Sequence, residues 1–136
     1  MRVLADTGPL VAILSPNDKY HESCLATVKT LRGPLLTCWP VIAEAAWLLR
    51  KTPLAFERLL RGISDGAVEI LPVAGKEAAS IADILKQYGS LRAQFADAML
   101  VYLANREGVG TIFTLDRRDF SVYRTARKGA FRIVPE

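Results

Sequence analysis

The chain has one histidine, two cysteines and no long apolar run, and each scarcity removes a class of function. A zinc centre needs several Cys or His at close spacing. His21 stands alone, and neither Cys24 nor Cys38 has a Cys or His near it at such spacing. The same lone histidine would have to serve any Ser-His-Asp hydrolase, and no nucleophile elbow accompanies it. No Gly-rich phosphate loop of the nucleotide-binding type is present. No apolar stretch approaches the ~20 residues of a membrane span. The N-terminus lacks the charged start, long apolar stretch and cleavage site of a secretory signal. The expectation is a cytoplasmic protein with no membrane contact, its two thiols reduced and packed in the core. Internal repeats, low-complexity tracts and linkers are also missing.

What remains is an ordinary globular composition, 51% apolar and 24% charged over 136 residues, enough for one domain spanning 1–136. The formal net charge of +4 is unevenly spread. Arg117, Arg118, Arg124, Arg127, Lys128 and Arg132 fall within one C-terminal segment, opposed there only by Asp119. A local basic patch of this kind suits phosphate contacts, or is simply a solvated surface.

The chain opens on a short apolar strand, Val3-Leu4-Ala5, that stops at Asp6. Thr7-Gly8 reads as a turn and Pro9 as the start of a helix. A second helix is expected over about 18–32, capped by Asn17 or Asp18 and ended by Gly33-Pro34. Leu35 to Cys38 reads as a second buried strand. The next helix, about 40–51, is apolar all round, which predicts a buried helix. Glu44 is the one charge in its middle, so it needs a partner, a cation or an exit into a cleft. Another amphipathic helix follows from Leu54 to about Ser64, then a strand over 67–72 and a helix over about 75–88. A largely apolar helix begins near 92–94 and stops at Gly108, with Asp97 in or close to its first turn. Thr111 to Leu115 is a fourth strand ending at Asp116, with Asp119 one helical turn further on. Ala130 to Val134 is a last short strand. Strands alternating with helices imply a single α/β domain with a mostly parallel sheet of four or five strands flanked by helices.

Asp6 and Asp116 share one context: apolar strand, acid, turn. If their strands are neighbours, both acids point into one crevice at the carboxyl ends of the strands. Glu44 and Asp97 are the other acids in apolar surroundings. Carboxylates gathered in one pocket repel each other, and a hard divalent cation removes that penalty. Oxygen ligands suit Mg²⁺ or Mn²⁺, and such ions support in-line attack on a phosphodiester.

Four segments carry a family resemblance: Ala5-Asp6-Thr7-Gly8-Pro9-Leu10, Pro40 to Ala45 around Glu44, Phe95-Ala96-Asp97-Ala98, and Thr114 to Phe120. In their order and spacing the chain resembles the PIN-domain ribonucleases, above all the VapC-type toxins of prokaryotic toxin–antitoxin pairs. The resemblance implies a Mg²⁺-dependent endoribonuclease whose acidic metal site is Asp6, Glu44, Asp97 and Asp116. It implies supporting hydroxyls at Thr7 and Thr114 and an additional acid at Asp119. Arg117, Arg118, Arg124, Arg127 and Lys128 are the expected contacts to the RNA backbone. A small antitoxin and a homodimer are the implied partners. Trp39, Trp47, Phe56 and Leu60 are candidates for a partner groove, with Trp47 expected in the core. Tyr20, His21 and Tyr123 are candidate contacts to RNA bases. The alternatives are an RNA-processing PIN nuclease without an antitoxin, a non-catalytic RNA- or partner-binding module, and a phosphotransfer domain of similar topology. The last would want a second acid beside Asp6 and a well-placed lysine, and neither is evident.

Overall fold

A computed structural model describes residues 2–89, 94–125 and 129–136. Five strands build its sheet: β1 (Val3–Ala5), β2 (Leu35–Thr37), β3 (Val68–Ile70), β4 (Thr111–Phe113) and β5 (Arg132–Val134). They lie in the order β3-β2-β1-β4-β5, and every pairing is parallel. Leu4 at the centre registers with Leu36 on one side and Ile112 on the other. Every residue of β1, β2 and β4 is buried, as a parallel sheet covered on both faces requires. The strand order reverses at β1, so the crevice between β1 and β4 is the switch point where open α/β sheets bind ligands.

Among the described residues seven α-helices flank the sheet: α1 (Thr7–Leu14), α2 (His21–Thr30), α3 (Trp39–Leu48), α4 (Pro53–Asp65), α5 (Ala78–Gln87), α6 (Phe95–Glu107) and α7 (Arg117–Phe120). Helix α6 is the most enclosed, burying Ala96, Ala98, Met99, Leu100, Val101, Leu103 and Ala104. Gly108 ends it at φ +68°, a left-handed conformation that glycine adopts without strain. No helix among the described residues is long and apolar enough to cross a membrane.

Helix α2 starts later than its sequence pattern suggests. The Asp18 carboxylate accepts the Tyr20 N–H at 2.8 Å and its carbonyl accepts the His21 N–H, so Asp18 shapes the turn ahead of the helix instead of capping it. The expected helix over 75–88 begins as a 3₁₀ turn at Gly75–Glu77 before α5 proper. Thr7, expected in a turn, is already the first residue of α1 because Asp6 caps that helix.

The larger correction concerns α3, which is not a buried helix. Val41, Ile42 and Ala45 face the core, but Trp39 is 57% exposed and Trp47 64% exposed. The Arg50 guanidinium lies over the Trp47 ring at 3.9 Å, covering in part what the core does not. Composition alone cannot separate a helix enclosed by its own chain from one with a bare apolar face. Leu60 is also exposed, whereas Phe56 packs half-buried against the core. Cys24 and Cys38 are both buried free thiols, and burial pushes the Cys38 thiol up to about 12.

Candidate active site

Asp6 leaves β1 at the switch point, tied to β4 by its N–H donating to the Phe113 carbonyl at 2.9 Å. Its two oxygens are separately fixed. Oδ1 accepts the Thr7 N–H at 2.8 Å, capping α1, and Oδ2 accepts the Thr114 hydroxyl at 2.8 Å. That hydroxyl also accepts the Asp116 N–H at 3.0 Å. One buried threonine thus holds the acid after β1 and the backbone of the acid after β4. Thr7, also buried, donates its hydroxyl to the Val41 carbonyl at 3.4 Å, one turn before Glu44 on α3.

Asp116 caps α7 by accepting the Asp119 N–H at 3.1 Å, which brings the two carboxylates side by side. Asp97 is the third residue of α6, and the Tyr123 hydroxyl donates to its Oδ2 at 3.2 Å. Asp97, Asp116 and Asp119 each place one carboxylate oxygen within 4.8 Å of the other two. A cleft of about 470 Å³ is lined by these three with Asp6, Glu44, Thr7 and others. Glu44 therefore resolves its apolar surroundings by opening into a cleft.

The electrostatics carry the mark of the crowding. Burial raises the Asp6 carboxyl, against the Thr7 and Thr114 hydrogen bonds, and the Asp116 charge adds to the rise. Burial also raises Glu44, with the Asp6 charge second and the Thr7 hydroxyl opposing. Asp97 is pushed up to about 7 by burial and then by the Asp6 charge, with smaller contributions from Asp116 and Asp119, and the Tyr123 hydrogen bond opposes. Asp119 rises through burial and the neighbouring Asp116. Among the described residues no Lys or Arg forms a salt bridge to any of these five acids. A set of hard oxygen donors that repel one another and form no salt bridge fits a divalent cation well.

The basic residues divide. Arg117 donates to the Pro135 carbonyl at 2.6 Å. Arg124 turns back on its own loop, donating to the carbonyls of Ser121, Val122 and Tyr123 at 2.7, 2.8 and 3.0 Å. Arg118 is exposed, and its charge opposes the rise of Asp119. Arg127 and Lys128 lie outside the described residues. Of the proposed base contacts, Tyr20 is exposed. His21 places Nδ1 at 2.7 Å from the Ala12 carbonyl, where it fastens α2 to α1. Tyr123 is 1% exposed and cannot stack on a base; its place is against Asp97. The sequence reading also missed Gln94, which stands at the N-terminus of α6 and lines the cleft. Its only sequence signal is its place at the start of that helix.

Strand order, switch-point cleft and converging acids define the fold class, and the chain belongs to the PIN-domain family, whose model matches residues 3–127. Within that family it is similar to Ribonuclease VapC26 of Mycobacterium tuberculosis, 31% identical over 98% of this chain and 100% of the relative. The fold is also similar to the crystal structure of Mycobacterium tuberculosis VapC20, described as a sarcin-ricin loop cleaving toxin. That match has a TM-score of 0.74 at 17% identity, covering 81% of this chain and 86% of the other. A chain of VapBC2 from Rickettsia felis, solved bound to a DNA fragment from its promoter, matches with a TM-score of 0.62 at 15% identity, covering 98% of this chain and 97% of the other.

Proposed function

We propose that the whole chain, residues 1–136, is one nuclease domain that hydrolyses RNA phosphodiester bonds as a divalent-metal-dependent endoribonuclease, the toxin of a VapBC-type pair. The observation that carries this reading is the convergence of Asp6, Glu44, Asp97, Asp116 and Asp119 on one cleft with no salt bridge to any of them among the described residues. The likeness to Ribonuclease VapC26 supports the same activity.

Asp97, Asp116 and Asp119 are the residues that would hold Mg²⁺, or Mn²⁺ in its place, with Asp6 and Glu44 completing the shell. Such an ion, when bound, lowers the pKa of water and neutralises charge built up at phosphorus. The chain's own work is positioning. Thr7 and Thr114 fix both oxygens of Asp6, and the capping bond from Asp119 to Asp116 sets the spacing of that pair. Arg118 is free to meet the RNA backbone, while Arg117 and Arg124 keep the loop after β4 in shape.

Partners follow from two surfaces. A cleft of about 680 Å³ between α1, α2 and α4, lined by Leu10, Leu14, Val28, Leu31 and Leu59, suits an apolar segment of a small antitoxin. The bare face of α3, with Trp39 and Trp47, suits a second copy of the chain. A cytoplasmic setting accords with this role.

The test is cleavage of a structured RNA pool by the purified protein in Mg²⁺ or Mn²⁺, beside EDTA and Asp97→Asn controls. Discrete metal-dependent cuts with 5′-phosphate ends, absent from the variant, are expected. RNA binding indifferent to EDTA, with no cleavage in either cation, would replace this reading by a non-catalytic RNA-binding module.

A further inference from the structure

We infer that Tyr123 is a positioning residue of the acid cluster, its hydroxyl locking the Asp97 carboxylate at a fixed distance from Asp119. The inference rests on the nuclease reading above. Tyr123 belongs to neither the strand-acid-turn pattern nor the four segments that carry the resemblance, and it lies 26 residues from Asp97.

Two of its own hydrogen bonds make the link. The Tyr123 N–H donates to the Asp119 carbonyl at 3.2 Å, and its hydroxyl donates to Asp97 Oδ2 at 3.2 Å. One residue thereby joins the segment carrying Asp116 and Asp119 to the first turn of α6. The ring has little freedom to swing away. It stands edge-on to Tyr88 at 4.8 Å and to Phe120 at 5.0 Å between centroids, and Phe120 is in turn edge-on to Phe131 at 5.9 Å. At 1% exposure the residue is closed off from bulk solvent. A donor on Oδ2 leaves Oδ1 open to an ion and restricts the rotation of the carboxylate. Groups that orient ligands in this way typically govern metal affinity by ten- to a hundredfold.

Tyr88 supplies the internal control. Its ring packs edge-to-face with Tyr123 and its hydroxyl accepts the Arg124 N–H at 3.2 Å, but it forms no hydrogen bond to Asp97. A hydroxyl that matters only to the packing of this loop should be as important at position 88 as at 123.

The experiment compares the wild type with Tyr123→Phe and Tyr88→Phe by thermal unfolding, by Mn²⁺ titration calorimetry without RNA, and by steady-state cleavage. Tyr123→Phe is expected to bind Mn²⁺ about ten- to a hundredfold more weakly, to lose kcat at sub-saturating Mn²⁺, and to keep KM for RNA. Tyr88→Phe is expected to bind Mn²⁺ like the wild type. Equal Mn²⁺ affinity for wild type and Tyr123→Phe, or equal losses for the two variants, would overturn the inference and leave the nuclease reading standing. A wild type that neither binds Mn²⁺ nor cleaves RNA would overturn both. Should Tyr123→Phe unfold below the assay temperature, calorimetry repeated in a stabilising osmolyte on the folded fraction gives the same comparison.

Discussion

Replacing Asp97 by asparagine should abolish cleavage and at the same time make the metal-free protein more stable above neutral pH. Asp97 is raised from 3.8 to about 7 in the fold. For an acid raised in the fold, stability is complete below the unfolded value near 3.8 and is lost as pH rises through the folded value near 7. Each tenfold change in proton affinity is worth ~1.4 kcal/mol, so the full displacement corresponds to roughly 4 kcal/mol. Asp97 is only half-buried, and solvent screening reduces that figure by half or more. The variant also gives up about 0.3–1 kcal/mol of favourable interaction between a carboxylate and the N-terminus of α6. The net gain is about 1–2 kcal/mol, or roughly 3–7 °C in Tm for a domain of this size. The substituted amide would keep an oxygen to accept the Tyr123 hydroxyl, so the comparison isolates charge. The assay is thermal unfolding in EDTA over a pH series. The two proteins should coincide near pH 4 and separate progressively toward about pH 8. Adding Mg²⁺ should then reverse the order, since a ligand at a hundredfold excess over its Kd adds ~2.7 kcal/mol to the protein that binds it. A variant less stable than the wild type in EDTA at high pH, or a gap that does not change with pH, would refute the account of the cluster.

Two further substitutions separate positioning from charge. Thr114→Val leaves an Asp6 oxygen and the Asp116 N–H without their shared hydroxyl; it should cost about 1–3 kcal/mol in denaturant unfolding and at least about tenfold in cleavage rate. Arg124→Ala removes the donor to three carbonyls and should lower Tm, whereas Arg118→Ala should change stability by less than about 0.5 kcal/mol. The salt dependence of RNA binding should show the converse, with the slope falling by about 1 for Arg118→Ala and little for Arg124→Ala.

The sheet was readable because β1, β2 and β4 are short apolar runs with an acid, a threonine or a turn at their ends, and buried parallel strands demand that pattern. The convergence of Asp6 and Asp116 follows from the pairing of β1 with β4, and their shared sequence context anticipates it. Asp119 was legible through its spacing from Asp116 within one turn. Other features depend on contacts that no local pattern encodes. The fate of Trp47 turns on whether another element covers its face of α3, and none does among the described residues. The basic segment looked uniform, yet the Arg124 side chain is committed to neighbouring carbonyls while Arg118 stays exposed. Tyr123 resembled a surface aromatic, and its burial arises from Tyr88 and Phe120 closing around it.

The bond from Thr114 to Asp6 spans 108 positions of the chain, and it has a consequence for how the protein is made. Asp6 is synthesised more than a hundred residues before the hydroxyl that fixes it, and before Asp116 and Asp119. A nascent chain halted between α6 and β4 holds Asp6, Glu44 and Asp97 but lacks Thr114 and two of the three clustered carboxylates. On the nuclease reading, the enzyme is thus translated in an inactive form, and its site closes only once β4 and α7 have been made. Chains cut short by premature stop codons before β4 should accordingly be harmless to the cell that makes them.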